Sequence, residues 1–455
     1  MEIPNQSKID SIPSNFDLWE KFPKSDVAIN GVYEEIYPQS NITGEGNTNS
    51  LTFHIHGTDK FIDFPNSYII ITGEIYGSSK AGAAAAAPFV PGTTKVSPTN
   101  NFAHNLFSRM TVKLNNTTIS TTDNYPYVSY LNTKLNHDTA TLNDYFKIQG
   151  YVPDDVTVAG LNNTNPDSTA FKALKNRASL CGTDEKTYQF LFYPFTSIFS
   201  MDKVLIPHVD VELSFDRNVS GEFYFMHPVA AQTVYNYGFN MTSAVFLVRL
   251  MDAKPDYNVG IETTLTNTLP MNYFIRNPQI ITQNISANST FHNQSDFLHG
   301  YVPEKIYIMF VKTAAFKGQG NLNPFCFENC GINKICLYKN GIPHPYPPIT
   351  ANFAEKQYIQ LYHMTLKSLQ APSPGTPSIS YEEFRDGCTI FCYDLSPDLS
   401  GGIDPHSATH KRAALRLNVQ FETATTAEVM CLIYYEQDTL VTIDYTRSVQ
   451  AITDF

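Results

Sequence analysis

Basic charge is scarce in this sequence: 31 Lys and Arg stand against 43 Asp and Glu in 455 residues, a formal net charge of −12. A chain whose task is to neutralise phosphates needs the opposite balance, so neither nucleic-acid condensation nor sequence-specific nucleic-acid binding is expected. No run approaches the 18 or so apolar residues of a membrane span, and Met1 to Asp10 is polar where a secretory signal would be basic and then apolar. The expectation is a soluble chain made inside a cell, with no membrane span. Seven cysteines, an odd number spread over the whole length, suit reduced buried thiols better than a disulfide framework. Sequons such as Asn41-Ile42-Thr43, Asn116-Thr117-Thr118, Asn240-Met241-Thr242 and Asn284-Ile285-Ser286 then read as products of Asn and Thr richness. A phosphate-binding loop, a nucleophile elbow and a zincin helix are all missing. Gly318-Gln319-Gly320 comes nearest, in a polar loop with no Lys-Ser/Thr after it.

Aromatics are plentiful, with 27 Tyr and 31 Phe, and 28 Pro and 23 Gly are scattered as turn punctuation. Both features point to an all-β chain of many short strands, with room for two domains of about 200 residues. Strict alternation runs through Val209, Val211, Leu213 and Phe215 and returns at Leu415, Leu417, Val419 and Phe421. Three further look-alikes keep the same order. Met110–Asn116 is answered by Ile335–Gly341, each an alternating strand ending in an Asn-led turn; Tyr127–Leu131 is answered by Tyr358–Tyr362, and Tyr188–Tyr193 by Cys388–Tyr393. One β domain built twice accounts for all four, with loop-length differences absorbing the drift in spacing. Long irregular stretches at 77–100, 137–186 and 369–380 are expected to gather at one end of each barrel.

Residues with possible chemistry do not converge on a site. Cys326, Cys330, Cys336 and His344 lack the CxxC spacing of a zinc centre. His54 and His56 share one face of a strand, which fits a solvated sheet face, and His406 and His410 have no nearby carboxylate to orient them. Asp394 and Asp398 could form a glycosidase carboxylate pair, but a Pro-containing strand exit explains them equally. No catalytic residue, metal site or cofactor is expected.

The segment from Phe391 to Leu399, the strand Leu415–Phe421, and the closing Tyr435-Glu436 with Ile443-Asp444-Tyr445-Thr446-Arg447-Ser448-Val449 resemble the double jelly-roll major capsid proteins of the polinton (Maverick) and adintovirus group. Leu106–Asn115 and Asp202–Pro207 extend the likeness into the first half, although the first turn is Asn115-Asn116 where that family often has Asn-Gly. The resemblance implies two consecutive eight-stranded jelly-roll barrels and a structural, non-enzymatic role. Homotrimers would tile an icosahedral virion shell around a double-stranded DNA genome, with penton and other minor capsid proteins as further partners. The boundaries expected are an N-terminal arm at 1–30, barrels at 31–222 and 241–447, a linker at 223–240 and a tail at 448–455. The arm carries the only tryptophan, Trp19, in an apolar cluster expected to bury against its own barrels or a neighbouring subunit. The competing reading is a carbohydrate-binding or carbohydrate-active two-domain β-sandwich, with the aromatics as sugar platforms.

Overall fold

The computed structural model describes residues 27–44, 49–79, 96–154, 176–182, 186–218, 221–227, 235–267, 269–369, 379–396, 399, 401 and 412–453. Trp19, the alanine run 83–87, Asp398, His406 and His410 lie outside the described residues.

The first half holds β1 (Ala28–Ile36), β2 (Leu51–Ile55), β3 (Phe61–Ser79), the two-residue β4 (Ser97–Pro98), β5 (Phe107–Leu114), β6 (Thr117–Asp123), β7 (Thr187–Phe192), β8 (Val211–Arg217), the two-residue β9 (Phe225–Met226) and β10 (Tyr235–Ala253). They form antiparallel sheets in the orders β1-β10-β3-β7 and β2-β8-β5-β6, with β4 paired to β9 outside them. That is the wiring of an eight-stranded jelly roll. The second half repeats it with β11 (Met271–Ile285), β12 (Phe291–Tyr301), β13 (Lys305–Lys312), β14 (Ile332–Lys339), β15 (Ile342–His344), β16 (Ile390–Asp394), β17 (Arg412–Phe421) and β18 (Val429–Ile443). Its sheets run β11-β18-β13-β16 and β12-β17-β14-β15, and β19 (Val449–Ile452) adds to β18. Two jelly rolls therefore stand in one chain.

The alternating strands do what their pattern predicts. Val211, Leu213 and Phe215 are buried, as are Leu415, Leu417, Val419 and Phe421; each such side chain contributes about 1.5–3 kcal/mol by leaving water. β8 and β17 occupy the same place in the wiring. The residue match differs from the one pattern alone suggests. Asn115 N–H donates to Asp210 O at 3.0 Å and Asp210 N–H returns to Asn115 Oδ1 at 2.7 Å; Asn340 and Ala414 make the same reciprocal pair at 3.0 and 3.0 Å. Asp210 thus answers Ala414 and Val211 answers Leu415, one alternation period away from the match by pattern. The turns agree too, with positive φ at Asn115 (44°) and Asn116 (65°), as at Asn340 (51°) and Gly341 (81°). Asn tolerates the left-handed region, so Asn-Asn serves where Asn-Gly would.

Three expectations need correction. Tyr127–Leu131 and Tyr358–Tyr362 are equivalent in position but helical, within α1 (Tyr125–Asn136) and in and beside α2 (Ile359–Ser368); each lies in the long connection before the sixth strand of its jelly roll. The expected linker 223–240 and second-barrel start at 241 cut through β10, which hydrogen-bonds between β1 and β3 in the first barrel's sheet. The crossing between barrels is instead helical, α3 (Pro255–Thr266), placed after α1 and before α2 in the chain. The expected tail contains β19, and the expected arm runs into β1 at Ala28.

The cores do not divide where the chain does. Tyr127, Val128, Tyr130 and Leu131 of α1 pack in the second barrel's core. In exchange Tyr273, Ile275, Val441 and Ile443 pack in the first.

Candidate assembly surfaces

The residues singled out for chemistry are committed elsewhere. Cys336 lies in β14 with its thiol toward Leu337 O, and His344 Nε2 is 2.9 Å from Asp394 O. Burial pushes the Cys330 thiol up to about 12, away from the thiolate that metal binding or oxidation needs. His54, on the outer face of β2, and His56, just past the strand's end, meet edge to face with ring centroids 4.3 Å apart. The Asp394 carboxylate closes the exit of β16: Oδ1 accepts from Ser396 N–H at 3.0 Å and from its hydroxyl, and Oδ2 accepts from Gly401 N–H at 3.1 Å. A side chain at Gly401 would strike that carboxylate, which explains the glycine. Gly320 O accepts from His227 N–H at 2.9 Å. Among the described residues no group of three or more His, Cys, Asp or Glu is placed to hold a metal ion, and no helix is long and apolar enough to cross a membrane.

What the fold does organise is its connections. Because every strand is antiparallel to its neighbours, the connections 80–106, 124–186 and 218–234 of barrel one leave at one end, as do 313–331 and 345–389 of barrel two. In barrel one a buried polar network ties them. Arg177 donates through Nε to Pro98 O at 2.9 Å and through Nη1 to Val152 O at 3.2 Å and Asp154 Oδ1 at 2.6 Å. Asn100 receives Val152 N–H on Oδ1 at 3.0 Å and donates to Asp154 Oδ2 at 3.1 Å. Gln149 Nε2 donates to Asn101 Oδ1 at 2.8 Å, and His104 sits 2.9 Å from Tyr125 Oη and 3.3 Å from Gln149 Oε1. Burial pulls the His104 pKa down to about 4, so the imidazole is neutral. In barrel two Phe353, Tyr358 and Tyr381, all within the connection 345–389, stack at 5.1 and 4.4 Å, and that connection is tied to 313–331 by Asn329 Nδ2 donating to Arg385 O at 2.7 Å and Phe327 N–H donating to Gly387 O at 2.8 Å.

A seam joins the barrels along the chain. At the loop end, Tyr130 stacks on Phe325 with centroids 4.3 Å apart, and Lys134 Nζ reaches Glu383 Oε1 at 2.8 Å. At the other end the lower half of the β11–β18 ribbon overhangs barrel one. Tyr273 Oη accepts from Ile206 N–H at 3.1 Å; Asn277 donates to Ile119 O at 3.2 Å and Gln279 to Thr121 O at 3.2 Å, both on β6. The turn after β18 completes the join. Arg447 donates to Pro207 O at 3.1 Å and pairs with Glu262 of α3, while its own carbonyl accepts from Asn115 Nδ2 at 2.7 Å. Sequence reasoning found the segment Ile443–Val449 by resemblance but not its role as this clip. The buried loop network escaped it altogether, since isolated Asn, Gln and Arg residues carry no periodic signal.

Comparison with family models and with curated proteins finds no match. Solved structures do match. A chain of the Sputnik virophage structure aligns at TM-score 0.66 and 12% identity, covering 98% of this chain and 93% of that one. The Faustovirus major capsid protein aligns at 0.56 and 9% identity over 93% and 92%, and the mavirus major capsid protein at 0.54 and 10% over 100% and 97%. The fold is the double jelly roll. At these identities the likeness establishes architecture from end to end, not ancestry within a named family.

Proposed function

We propose that this chain is a major capsid protein, a building block of an icosahedral virion shell around a double-stranded DNA genome. Its role is structural rather than catalytic, and it assembles as a homotrimer whose six barrels give a pseudohexagonal capsomer, met in the shell by penton and other minor capsid proteins. The observation that carries the reading is the pair of identically wired jelly rolls locked by a built seam, in a chain that overlaps virophage and Faustovirus capsid proteins over more than nine-tenths of its length. The likeness of Phe391–Leu399 and Ile443–Val449 to polinton and adintovirus capsid proteins supports placing it in that group. The wiring supports a division into barrel one at 28–253, a connector at 254–270 and barrel two at 271–452, preceded by an arm. Expressed as the full chain, the protein should sediment as a trimer, and electron microscopy should show pseudohexagonal particles that form sheets or shells. A monodisperse monomer at all concentrations, particularly one that binds glycans on an array, would overturn the reading in favour of a carbohydrate-binding β-sandwich.

A further inference from the structure

Both barrels pair their first strand with their last, β1 on β10 and β11 on β18, but the two first strands differ in cover; β10 itself buries Phe246, Val248 and Leu250 in barrel one's own core. In barrel two the end of the ribbon at which Met271 pairs with Ile443 buries Tyr273 and Ile275 against barrel one. The matching end in barrel one is β1 on β10, from Ala28 opposite Ala253 to Ile36 opposite Phe246. This is the same stretch of the same strands in the wiring. Yet none of the nine residues of β1 is buried, and among the described residues no strand pairs with its outer edge. Ile29, which falls at the register shift of β1, is 62% exposed, and Val32 and Tyr33 are exposed beside it, the Tyr33 ring also meeting Tyr68 and the Arg249 guanidinium. A free strand edge with apolar residues on both faces is a template for association unless something covers it.

The surface that a ribbon clasps also occurs twice. In barrel one it is the Asn115-Asn116 turn and β6, held by the β11–β18 ribbon. In barrel two the equivalent is the Asn340-Gly341 turn and β15. Here Ile342 is 68% exposed and Tyr346, just beyond the strand, 82% exposed, the largest value among the exposed apolar side chains of the described residues. Barrel one thus presents, along β1, an exposed ribbon edge, and barrel two presents the surface that such an edge fits.

We propose that the β1–β10 ribbon clasps the β14–β15 hairpin of a second copy, so that the seam inside the chain is repeated between chains. The inference rests on the assembly reading above and adds which surfaces meet. The contact is head to tail, with a different patch on each partner, and such a contact closes into a ring when the rotation per copy divides the circle. Three copies and six barrels make one continuous ring of seams, alternately within and between chains.

Ile29→Asp and Tyr346→Asp test it separately, since both positions are exposed and neither change should alter the thermal midpoint of the isolated chain. Each should weaken trimer formation by about a hundredfold in sedimentation equilibrium, the loss typical of a charge placed in an interface anchor. A chain carrying Ile29→Cys together with Tyr346→Cys should give covalent dimers and trimers with a short bismaleimide, whereas either single change should not. Parental trimer affinity in both Asp variants with no cross-link from the double-Cys chain would overturn the clasp and leave the trimer standing. A parent chain that never trimerises would overturn the assembly reading and the clasp together.

Discussion

Barrel one and barrel two share strand order, hairpin turn and alternating core strands, yet they hold their loops with different balances of polar and aromatic contact. Barrel one uses a buried polar network around Asn100, His104, Gln149 and Arg177, whereas barrel two stacks Phe353, Tyr358 and Tyr381. The difference shows what the repeated fold leaves free. A jelly roll fixes where the connections emerge but not how they are tied, so polar satisfaction and aromatic burial are interchangeable solutions with different sensitivities. The polar solution is demanding, because each buried group needs its partner; the aromatic one tolerates change but offers no charge to titrate.

The comparison breaks most severely in the strands that the barrels share. Leu417→Asp in β17 and Leu213→Asp in β8 each put a carboxylate where burial is complete, a defect of several kcal/mol against a typical total of about 5–15. Neither variant should yield folded protein, whereas Asn418→Asp on the other face of β17 should be tolerated; equal soluble yield from Leu417→Asp and Asn418→Asp would show the inward face to be misassigned. Because α1 belongs to barrel one by sequence and to barrel two by packing, loss of the Tyr130 ring should be felt in the wrong half. Tyr130→Ala should cost about 3–5 kcal/mol, the usual range for a buried aromatic truncation, and should loosen amide protection around Phe325 and Phe327 as well as near α1. Loosening confined to barrel one would mean that the cores are separable.

The smallest effect sharpens the contrast between the loop ties. His104 is neutral when folded, with a pKa lowered to about 4, whereas the unfolded chain titrates near 6.5. Below pH 6.5 the unfolded state therefore binds a proton that the folded state refuses. The stability that depends on neutral His104 is complete above pH 6.5, falls as pH drops, and is gone below about 4, a loss on the order of 3 kcal/mol. Burial shifts His137 and His292 in the same direction, so the readout is the difference between the parent and His104→Gln. Hydrogen exchange at pH 4.5 should open the network of barrel one before the stacked loops of barrel two, and the variant should show a shallower pH dependence; identical slopes would place the acid sensitivity elsewhere.

Alternation at Val211–Phe215 and Leu415–Phe421 by itself determined the strands, their inward faces and the duplication, because burying one face of a strand needs only local period-two spacing. The Asn-led turns determined the hairpins for a similar reason, since backbone sign at Asn115 and Asn340 is a property of a few adjacent residues. The same local logic failed for Tyr127–Leu131, where apolar side chains dense enough for a strand pack as a helix between two barrels. It failed again at β10, whose membership in barrel one depends on pairing with β3, far away in sequence. Only the tertiary structure decided that the start of β11 is covered and β1 is not, because burial of an edge strand depends on what lies beyond it, and no spacing within the strand encodes its neighbour.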